Sequence, residues 1–235
     1  MTIALLPGDA RQRYLGELLA REGHELVPYA PGKPADAWLF PLPTGNHPAL
    51  GALKPGSLCL TALAAGEHPL LRLRDYYDDE AVLLRNAAIT AEGAVALAMQ
   101  RTDRTLLGSR VLILGGGRIS QALAPRLRAL VAEVTVYARG EAQRALAACR
   151  GCRTLEKLPE NPEGYHILFN TVPATLLPSA AEGALNIELA SAPGGFRDAA
   201  GVVTARGLPG KTAPRSAAEA LLGPILAIIR EEEKP

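Results

Sequence analysis

The chain has few cysteines and no pattern that would make them a covalent or metal-binding framework. Its 235 residues contain 3 cysteines, too few for a disulfide scaffold. Cys149 and Cys152 have the spacing of a redox pair, but they follow a helical run instead of opening a helix, and no second pair completes a zinc site. We therefore expect no metal site and no redox role for these thiols.

The chain also lacks an excess of charge and any targeting pattern. It has 25 basic and 24 acidic residues, with no basic tract and no interleaved aromatic run, so nothing indicates nucleic-acid binding. The segment Met1–Asp9 has no basic region followed by a long apolar one, and no window is expected to reach the length of a membrane span. We expect a soluble, cytoplasmic protein that does not bind membranes.

The most informative segment present is a triple glycine after an apolar run. The run Val111–Leu114 suits a strand covered on both faces, as in parallel sheets. Glycines at this position let the backbone approach a pyrophosphate at the N-terminus of the following helix. The alternative is an ordinary strand-to-helix turn, since Ser120 replaces the third glycine of the dinucleotide fingerprint. The cofactor-binding residues expected here are Gly115, Gly116, Gly117, Arg118 and Ile119.

The next predicted strand, Glu133–Tyr137, favours NADP over NAD. Roughly 20 residues after the glycines, a dinucleotide fold places the side chain that meets the ribose 2′ position. An acid there would bind the hydroxyls of NAD, whereas this chain has Arg139, whose guanidinium suits a 2′-phosphate. The alternative is that Arg139 is a solvated turn residue, with Glu141 close by.

The residues before the glycine turn predict a small α/β lobe of about four short strands, followed by an apolar helix. This helix, over 86–102, is small or apolar on almost every side, so we expect it to be buried all round between two lobes. Its first turn carries Asn86 and Thr90, which suggest an anion-binding N-terminus, and Glu92 is a candidate proton acceptor. Alternatively, Asn86 caps the helix and Glu92 pairs with an arginine.

Further candidates follow the later strands. One predicted strand ends at the ligand-binding edge with the residues Asn170, Thr171, Val172 and Pro173. The Asn and Thr side chains there can reach the nicotinamide ribose. The backbone of Pro193, Gly194 and Gly195 and the loop residue Lys211 are candidates for holding a carboxylate substrate. A closing helix over 215–231 is predicted to pack back on the first lobe, with a frayed tail over 231–235.

Several of these segments, in this order, resemble the family of the A subunit of dipicolinate synthase. The similar segments are Gly8-Asp-Ala-Arg-Gln12, Thr90-Ala-Glu-Gly93, Thr102-Asp-Arg-Thr-Leu-Leu-Gly-Ser109, the glycine turn, Asn170-Thr-Val-Pro173, Leu189-Ala-Ser-Ala-Pro-Gly-Gly195, Gly207-Leu-Pro-Gly210 and Ala213-Pro214. The chain departs from the family at Ser120, at Glu188, where Asp is usual, and at Arg215-Ser216, where Lys-Thr is common.

The resemblance implies an NADP-dependent oxidation of a dihydrodipicolinate-type dicarboxylate to dipicolinate in sporulating bacteria. It also implies that the partner is a flavoprotein-like B subunit, and we expect a homo-oligomer. Two other functions stay open: a two-lobed NADP dehydrogenase of another small acid, and an NADP-binding partner or sensor without turnover of its own.

The predicted fold class is α/β with two lobes. A small flavodoxin-like lobe over 1–85 lies on the substrate side and is rejoined by the helix over 215–231, a buried helix over 86–102 connects the lobes, and a Rossmann NADP-binding domain covers 103–213.

Overall fold

The computed structural model describes residues 1–234. In chain order its elements are β1 (Thr2–Leu5), α1 (Ala10–Arg21), β2 (Glu25–Pro28), β3 (Ala37–Leu39), a 3₁₀ helix (Pro48–Ala52), β4 (Leu58–Thr61), β5 (Arg72–Asp75), α2 (Glu80–Arg101), β6 (Arg110–Leu114), α3 (Arg118–Ala129), β7 (Glu133–Tyr137), α4 (Glu141–Cys149), β8 (Arg153–Leu155), β9 (Ile167–Asn170), β10 (Leu185–Glu188), β11 (Val202–Thr204), α5 (Leu208–Thr212) and α6 (Pro214–Glu232). They form two compact units, one of residues 1–86 with 209–234 and one of residues 87–208.

Unit 1, made of residues 1–86 and 209–234, contains a five-stranded parallel sheet. Its strand order is β2-β1-β3-β4-β5, which is the flavodoxin-like order. Leucines at helical spacing on α1, such as Leu15 and Leu19, and the apolar face of α6 around Ile225 bury the sheet. The predicted flavodoxin-like topology of this lobe is therefore observed.

The fifth strand, β5, was not among the four expected because its sequence Arg-Leu-Arg-Asp is mostly polar. It lies at the edge of the sheet, where polar side chains can face solvent. Arg74 pairs with Glu231 and Glu232, and Arg72 also pairs with Glu232. The expectation of a frayed tail is wrong for these two glutamates, because the ion pairs hold the end of α6 on the edge strand; Pro235 lies outside the described residues.

Unit 2, residues 87–208, contains a six-stranded parallel sheet. Its order, β11-β10-β9-β6-β7-β8, is the doubly wound Rossmann order, with the reversal of connection between β6 and β9. The central strands β6 and β9 are almost wholly buried, as their uninterrupted apolar runs require. The prediction of an α/β fold with a Rossmann domain is confirmed.

Helix α2 differs from its prediction in three ways. It begins at Glu80 rather than near residue 86, so it is longer than expected. It is not buried all round: Ala91, Ala94 and Ala98 pack into the core of unit 2, while Leu84 and Met99 are exposed. By length and composition it is apolar enough to cross a membrane, contrary to expectation, but small residues packed along one face are typical of a core helix.

Candidate nucleotide-binding site

The glycine turn lies at the carboxyl edge of the unit 2 sheet, where α/β folds bind ligands. Gly115 has φ +106°, and a Cβ atom there would lie 2.5 Å from Thr171 Oγ1 and 2.7 Å from Val172 Cγ2. The close approach exists because the Thr171 hydroxyl donates to Leu114 O over 2.8 Å, which holds the turn after β9 against the end of β6. Only glycine fits position 115.

The two following glycines have different surroundings. A Cβ atom at Gly116 would lie 2.7 Å from the Cβ of Gln143 and 3.0 Å from that of Ala138, so this position also needs a glycine. At Gly117, the N-cap of α3, a Cβ atom would meet nothing within 4 Å. A ligand can therefore approach the backbone at position 117, beside the N-terminus of α3, which is where helices bind anions.

Ser120, the third position of the fingerprint, is buried in the first turn of α3. It is 2% exposed in the first turn of α3, whose buried face packs on the sheet. Because a serine side chain is small, it fits where the fingerprint usually has its third glycine. Arg118 and Ile119 form the first turn of α3 beside it.

Arg139 lies where the sequence predicted, just beyond the carboxyl end of β7, the strand that pairs with β6. Its side chain is exposed, whereas Ala138 before it is buried. The Arg144 guanidinium donates to the carbonyl oxygens of Ala138, at 2.9 Å, and Arg139, at 2.6 Å. Sequence reasoning missed Arg144, which fixes the backbone that presents Arg139; its spacing from β7 carried no signal of this contact.

The side chains of Asn170 and Thr171 both form hydrogen bonds within the turn after β9. Asn170 is fully buried; its amide donates to Val172 O over 2.9 Å and to Glu188, and its carbonyl accepts from Val172 N over 3.1 Å. The Thr171 hydroxyl is bonded to Leu114 O. The buried Asn170 side chain is therefore not placed to reach a ribose, because it holds the turn that leads to Val172 and Pro173. The half-buried Thr171 hydroxyl can still accept a hydrogen bond, so its contact with a ribose stays a prediction.

Glu188 is a buried polar residue that sequence reasoning did not select. It ends β10, is 4% exposed, and accepts hydrogen bonds from Asn170, from Ala190 N and from Gly195 N. A glutamate at the carboxyl end of a predicted strand was the available signal. The bonds place the Pro193–Gly195 loop, a substrate-binding candidate, next to the end of β9.

The expected anion site at the start of α2 is not present. Helix α2 begins at Glu80, and Asp79 caps it by accepting from Ala81 N over 2.7 Å and Val82 N over 3.1 Å. Asn86 and Thr90 thus lie inside the helix, where backbone N–H groups bond to preceding carbonyls and cannot bind an anion. The missed signal was Asp79, an N-cap residue at the end of the acidic run.

Glu92 follows the second interpretation given for it. Its Oε1 accepts from Arg126 Nη2 over 3.0 Å, and its side chain is 68% exposed. Arg126 lies near the C-terminal end of α3, two turns from the glycine turn at the other end of that helix. The ion pair therefore places Glu92 away from the nucleotide edge of unit 2.

Lys211 lies on α5 in unit 1, where its side chain is exposed. Its neighbour Gly210 packs so closely on the β1–α1 loop that a Cβ atom would lie 2.2 Å from Asp9 Oδ2. Asp9 caps α1 and forms an ion pair with Arg11, which also donates to Leu42 O over 2.7 Å. Two positions far apart in sequence, Asp9 and Gly210, thus meet in unit 1.

The cysteines differ in exposure. Cys59 and Cys152 are buried, and burial raises the pKa of both thiols, to about 12 for Cys59. Cys149 is exposed, and no disulfide joins any of the three. Within residues 1–234, no group of three His, Cys, Asp or Glu side chains is arranged to hold a metal ion.

Comparison with curated proteins identifies the family of this chain. The chain is 34% identical over 178 residues, 69% of its length, to the A subunit of dipicolinate synthase of Bacillus subtilis (strain 168). The chain belongs to this family, and the predicted resemblance is confirmed. The match spans 60% of the length of that curated relative. No family model matches the chain.

Solved structures show the same fold. The A chain of dipicolinate synthase from Bacillus subtilis superposes with a TM-score of 0.76 at 24% identity, covering 99% of this chain and 98% of that one. The A subunit of dipicolinate synthase from Bacillus halodurans gives 0.77 at 23% identity, covering 100% and 98%. A transhydrogenase from Sinorhizobium meliloti gives 0.70 at 13% identity, covering 98% and 93%, so the architecture extends beyond the synthase family.

Proposed function

We propose that this protein is an NADP-dependent subunit of a dipicolinate synthase. The observation that supports this most is the glycine turn in a chain of this family: its last glycine, Gly117, has open space where a side chain would lie, directly before α3. A bound nicotinamide dinucleotide would accept a hydride at this edge. The residues that would hold it are Gly115–Ile119 at the pyrophosphate, Arg139 at the 2′-phosphate and the backbone of Val172 and Pro173.

The proposed reaction removes a hydride and a proton from a dihydropyridine dicarboxylate. The hydride, which carries two electrons, reduces NADP⁺ to NADPH, the proton passes to solvent, and the product ring is aromatic. Because aromatisation favours product formation, the protein chiefly needs to position the substrate carbon near the nicotinamide and to exclude water. This suits an edge whose loops are held by buried hydrogen bonds, such as those that Glu188 accepts from Ala190 N and Gly195 N.

Two separate candidates for binding a carboxylate are proposed, the loop Pro193–Gly195 in unit 2 and Lys211 in unit 1. In the loop, Pro193 has no N–H and Gly195 N donates to Glu188, so the proposed backbone donor is Gly194 N; the exposed ammonium of Lys211 would supply positive charge. A flavoprotein-like B subunit, a homo-oligomeric assembly, a cytoplasmic location and a role in sporulation are parts of the same proposal, since the resemblance to the family implies them or is consistent with them.

A second candidate is an NADP-binding partner protein without turnover of its own. The observation that favours it is the ion pair of Glu92 with Arg126, which removes the expected proton acceptor from the nucleotide edge. The two candidates differ in a single respect, whether bound NADP⁺ is reduced.

The experiment supplies NADP⁺ and a dihydrodipicolinate intermediate generated in the reaction mixture, with and without a B subunit, and follows NADPH and dipicolinate together. Both products rising in step support the synthase. Nucleotide binding with neither product supports the partner protein, and turnover of a different small acid alone supports another dehydrogenase.

Cofactor choice is tested with Arg139→Ala. Losing a charged hydrogen bond to the 2′-phosphate costs about 1.5–3 kcal/mol, so the Kd for NADP⁺ is expected to rise about 10- to 150-fold while that for NAD⁺ changes little. Arg153→Ala is the matched control, because Arg153 is the first residue of β8 and so lies at the amino-terminal ends of the strands, away from the carboxyl ends where the nucleotide is proposed to bind. An equal effect of Arg139→Ala on both nucleotides would contradict NADP selectivity through this residue.

A further inference from the structure

The carboxylate of Glu188 is the centre of a buried hydrogen-bond cluster that joins two loops of the nucleotide edge. Its Oε1 accepts from Asn170 Nδ2 over 2.7 Å and from Ala190 N over 2.8 Å. Its Oε2 accepts from Gly195 N over 2.7 Å and from Asn170 Nδ2 over 3.0 Å. One side chain thereby ties the end of β9 to both ends of the loop over 190–195.

The partners of Glu188 identify its charge state. Every hydrogen bond recorded for its two oxygens comes from an N–H group, and none of these groups can accept a proton. A neutral carboxyl would need an acceptor for its O–H, so the geometry fits the ionised form. Arg206 lies nearby, its Nε donating to Ala190 O over 3.0 Å, and so adds a cation beside the same loop.

The conformation of the loop over 190–195 also requires glycine at positions 194 and 195. A Cβ atom at Gly194, which has φ +89°, would lie 2.8 Å from Glu188 Oε2, and one at Gly195 would lie 2.4 Å from Asn170 Cγ. The Gly195 carbonyl in turn accepts from Leu176 N and Leu177 N, at 2.8 and 2.9 Å. Both glycines are therefore required for the backbone to reach the carboxylate.

This cluster occupies one half of the dinucleotide edge. A Rossmann sheet has two mononucleotide-binding halves that meet where the strand order reverses, here between β6 and β9. The glycine turn and Arg139 belong to the half built on β6 and β7. Glu188, Asn170 and the loop over 190–195 belong to the half built on β9 and β10, which would receive the second nucleotide.

We propose that Glu188 is a positioning residue for the nicotinamide half of the bound dinucleotide. Its ionised carboxylate holds the Asn170–Val172 turn and the loop over 190–195 in the conformation that receives this half, while the adenosine half binds independently of it. The inference rests on the proposed nucleotide function but not on dipicolinate formation.

The test compares two ligands by calorimetry in Glu188→Gln. Glutamine keeps the size but presents an NH₂ group to the N–H of Ala190 or Gly195, so the loop loses its fixed position. We expect the Kd for NADP⁺ to rise tenfold or more, and the Kd for 2′,5′-ADP, which carries only the adenosine half, to stay within twofold. Glu133→Gln, at the opposite edge of the sheet, is expected to change neither.

A merely structural role would lower the melting temperature without this selectivity. Glu188→Asp keeps the charge and introduces the residue that is usual in the family, so it is expected to keep the Kd for NADP⁺ within about threefold of wild type, again without effect on 2′,5′-ADP. Equal weakening of both ligands, or unchanged NADP⁺ binding in a folded Glu188→Gln variant, would overturn the proposal.

The same measurements separate this proposal from the proposed function. If the wild-type protein binds NADP⁺ but forms no dipicolinate, the synthase function fails and the role of Glu188 is supported or overturned by the variants alone. If the wild-type protein binds neither NADP⁺ nor 2′,5′-ADP, both proposals fail.

Discussion

Replacing Gly115 with alanine should damage folding, whereas the same change at Gly117 should damage binding. At Gly115 a methyl group would lie 2.5 Å from Thr171 Oγ1 in a backbone with φ +106°. Backbone strain of about 1–3 kcal/mol and overpacking of about 1–3 kcal/mol together predict a loss of about 2–6 kcal/mol in the free energy of unfolding.

Gly117 is the matched control within the same turn. Its φ of −79° suits any residue, and a Cβ atom there meets nothing within 4 Å. Because position 117 is an N-cap, alanine should lower the free energy of unfolding by no more than about 1 kcal/mol. The methyl group would, however, enter the open space before the N-terminus of α3, so the Kd for NADP⁺ should rise about tenfold or more, a cost of about 1.4 kcal/mol.

Urea unfolding followed by circular dichroism measures the first effect, and calorimetry measures the second. In a protein of this size, the loss predicted for Gly115→Ala corresponds to a fall in Tm of roughly 5–20 °C. The reasoning would be refuted if Gly115→Ala were as stable as wild type, or if Gly117→Ala bound NADP⁺ normally, because the open helix terminus would then not be the pyrophosphate site.

Two further predictions concern the thiols and the C-terminal helix. A thiol reagent at pH 8 should label only the exposed Cys149 in the folded protein, and labelling of all three cysteines before unfolding would contradict the burial. Burial raises the pKa of Cys59 from 9.0 to about 12, so the folded protein favours the protonated thiol. The free energy of unfolding of the wild-type protein, measured relative to Cys59→Ala, should therefore be constant below pH 9 and fall as the pH rises from 9 toward 12. Glu232→Gln removes the ion pairs with the two arginines of β5, so it should lower the free energy of unfolding by about 1–2 kcal/mol, and by less in 1 M salt. The control variant Glu233→Gln should have no effect. Equal urea midpoints for the two variants would exclude a stabilising role for these ion pairs.

Local sequence was enough to predict the central part of unit 2. The run Val111–Leu114, the glycines after it and the alternating strand Glu133–Tyr137 appear as β6, the turn before α3, and β7. These elements depend on local properties: apolar runs form covered strands, and a turn with positive φ needs glycine. The polar strand β5 and the first turns of α2 had weaker local signals, so β5 was not predicted and α2 was predicted to begin too late.

The roles of individual polar side chains were decided by tertiary structure. The sequence alone determined which residue types end each strand, and so which edge can bind a ligand and where Arg139 lies. It could not show that Asn170 bonds to Glu188, 18 residues away, or that Glu92 bonds to Arg126, 34 residues away. A polar side chain at a strand end can bind either a ligand or the protein, and the choice depends on partners that only the folded chain brings within hydrogen-bond distance.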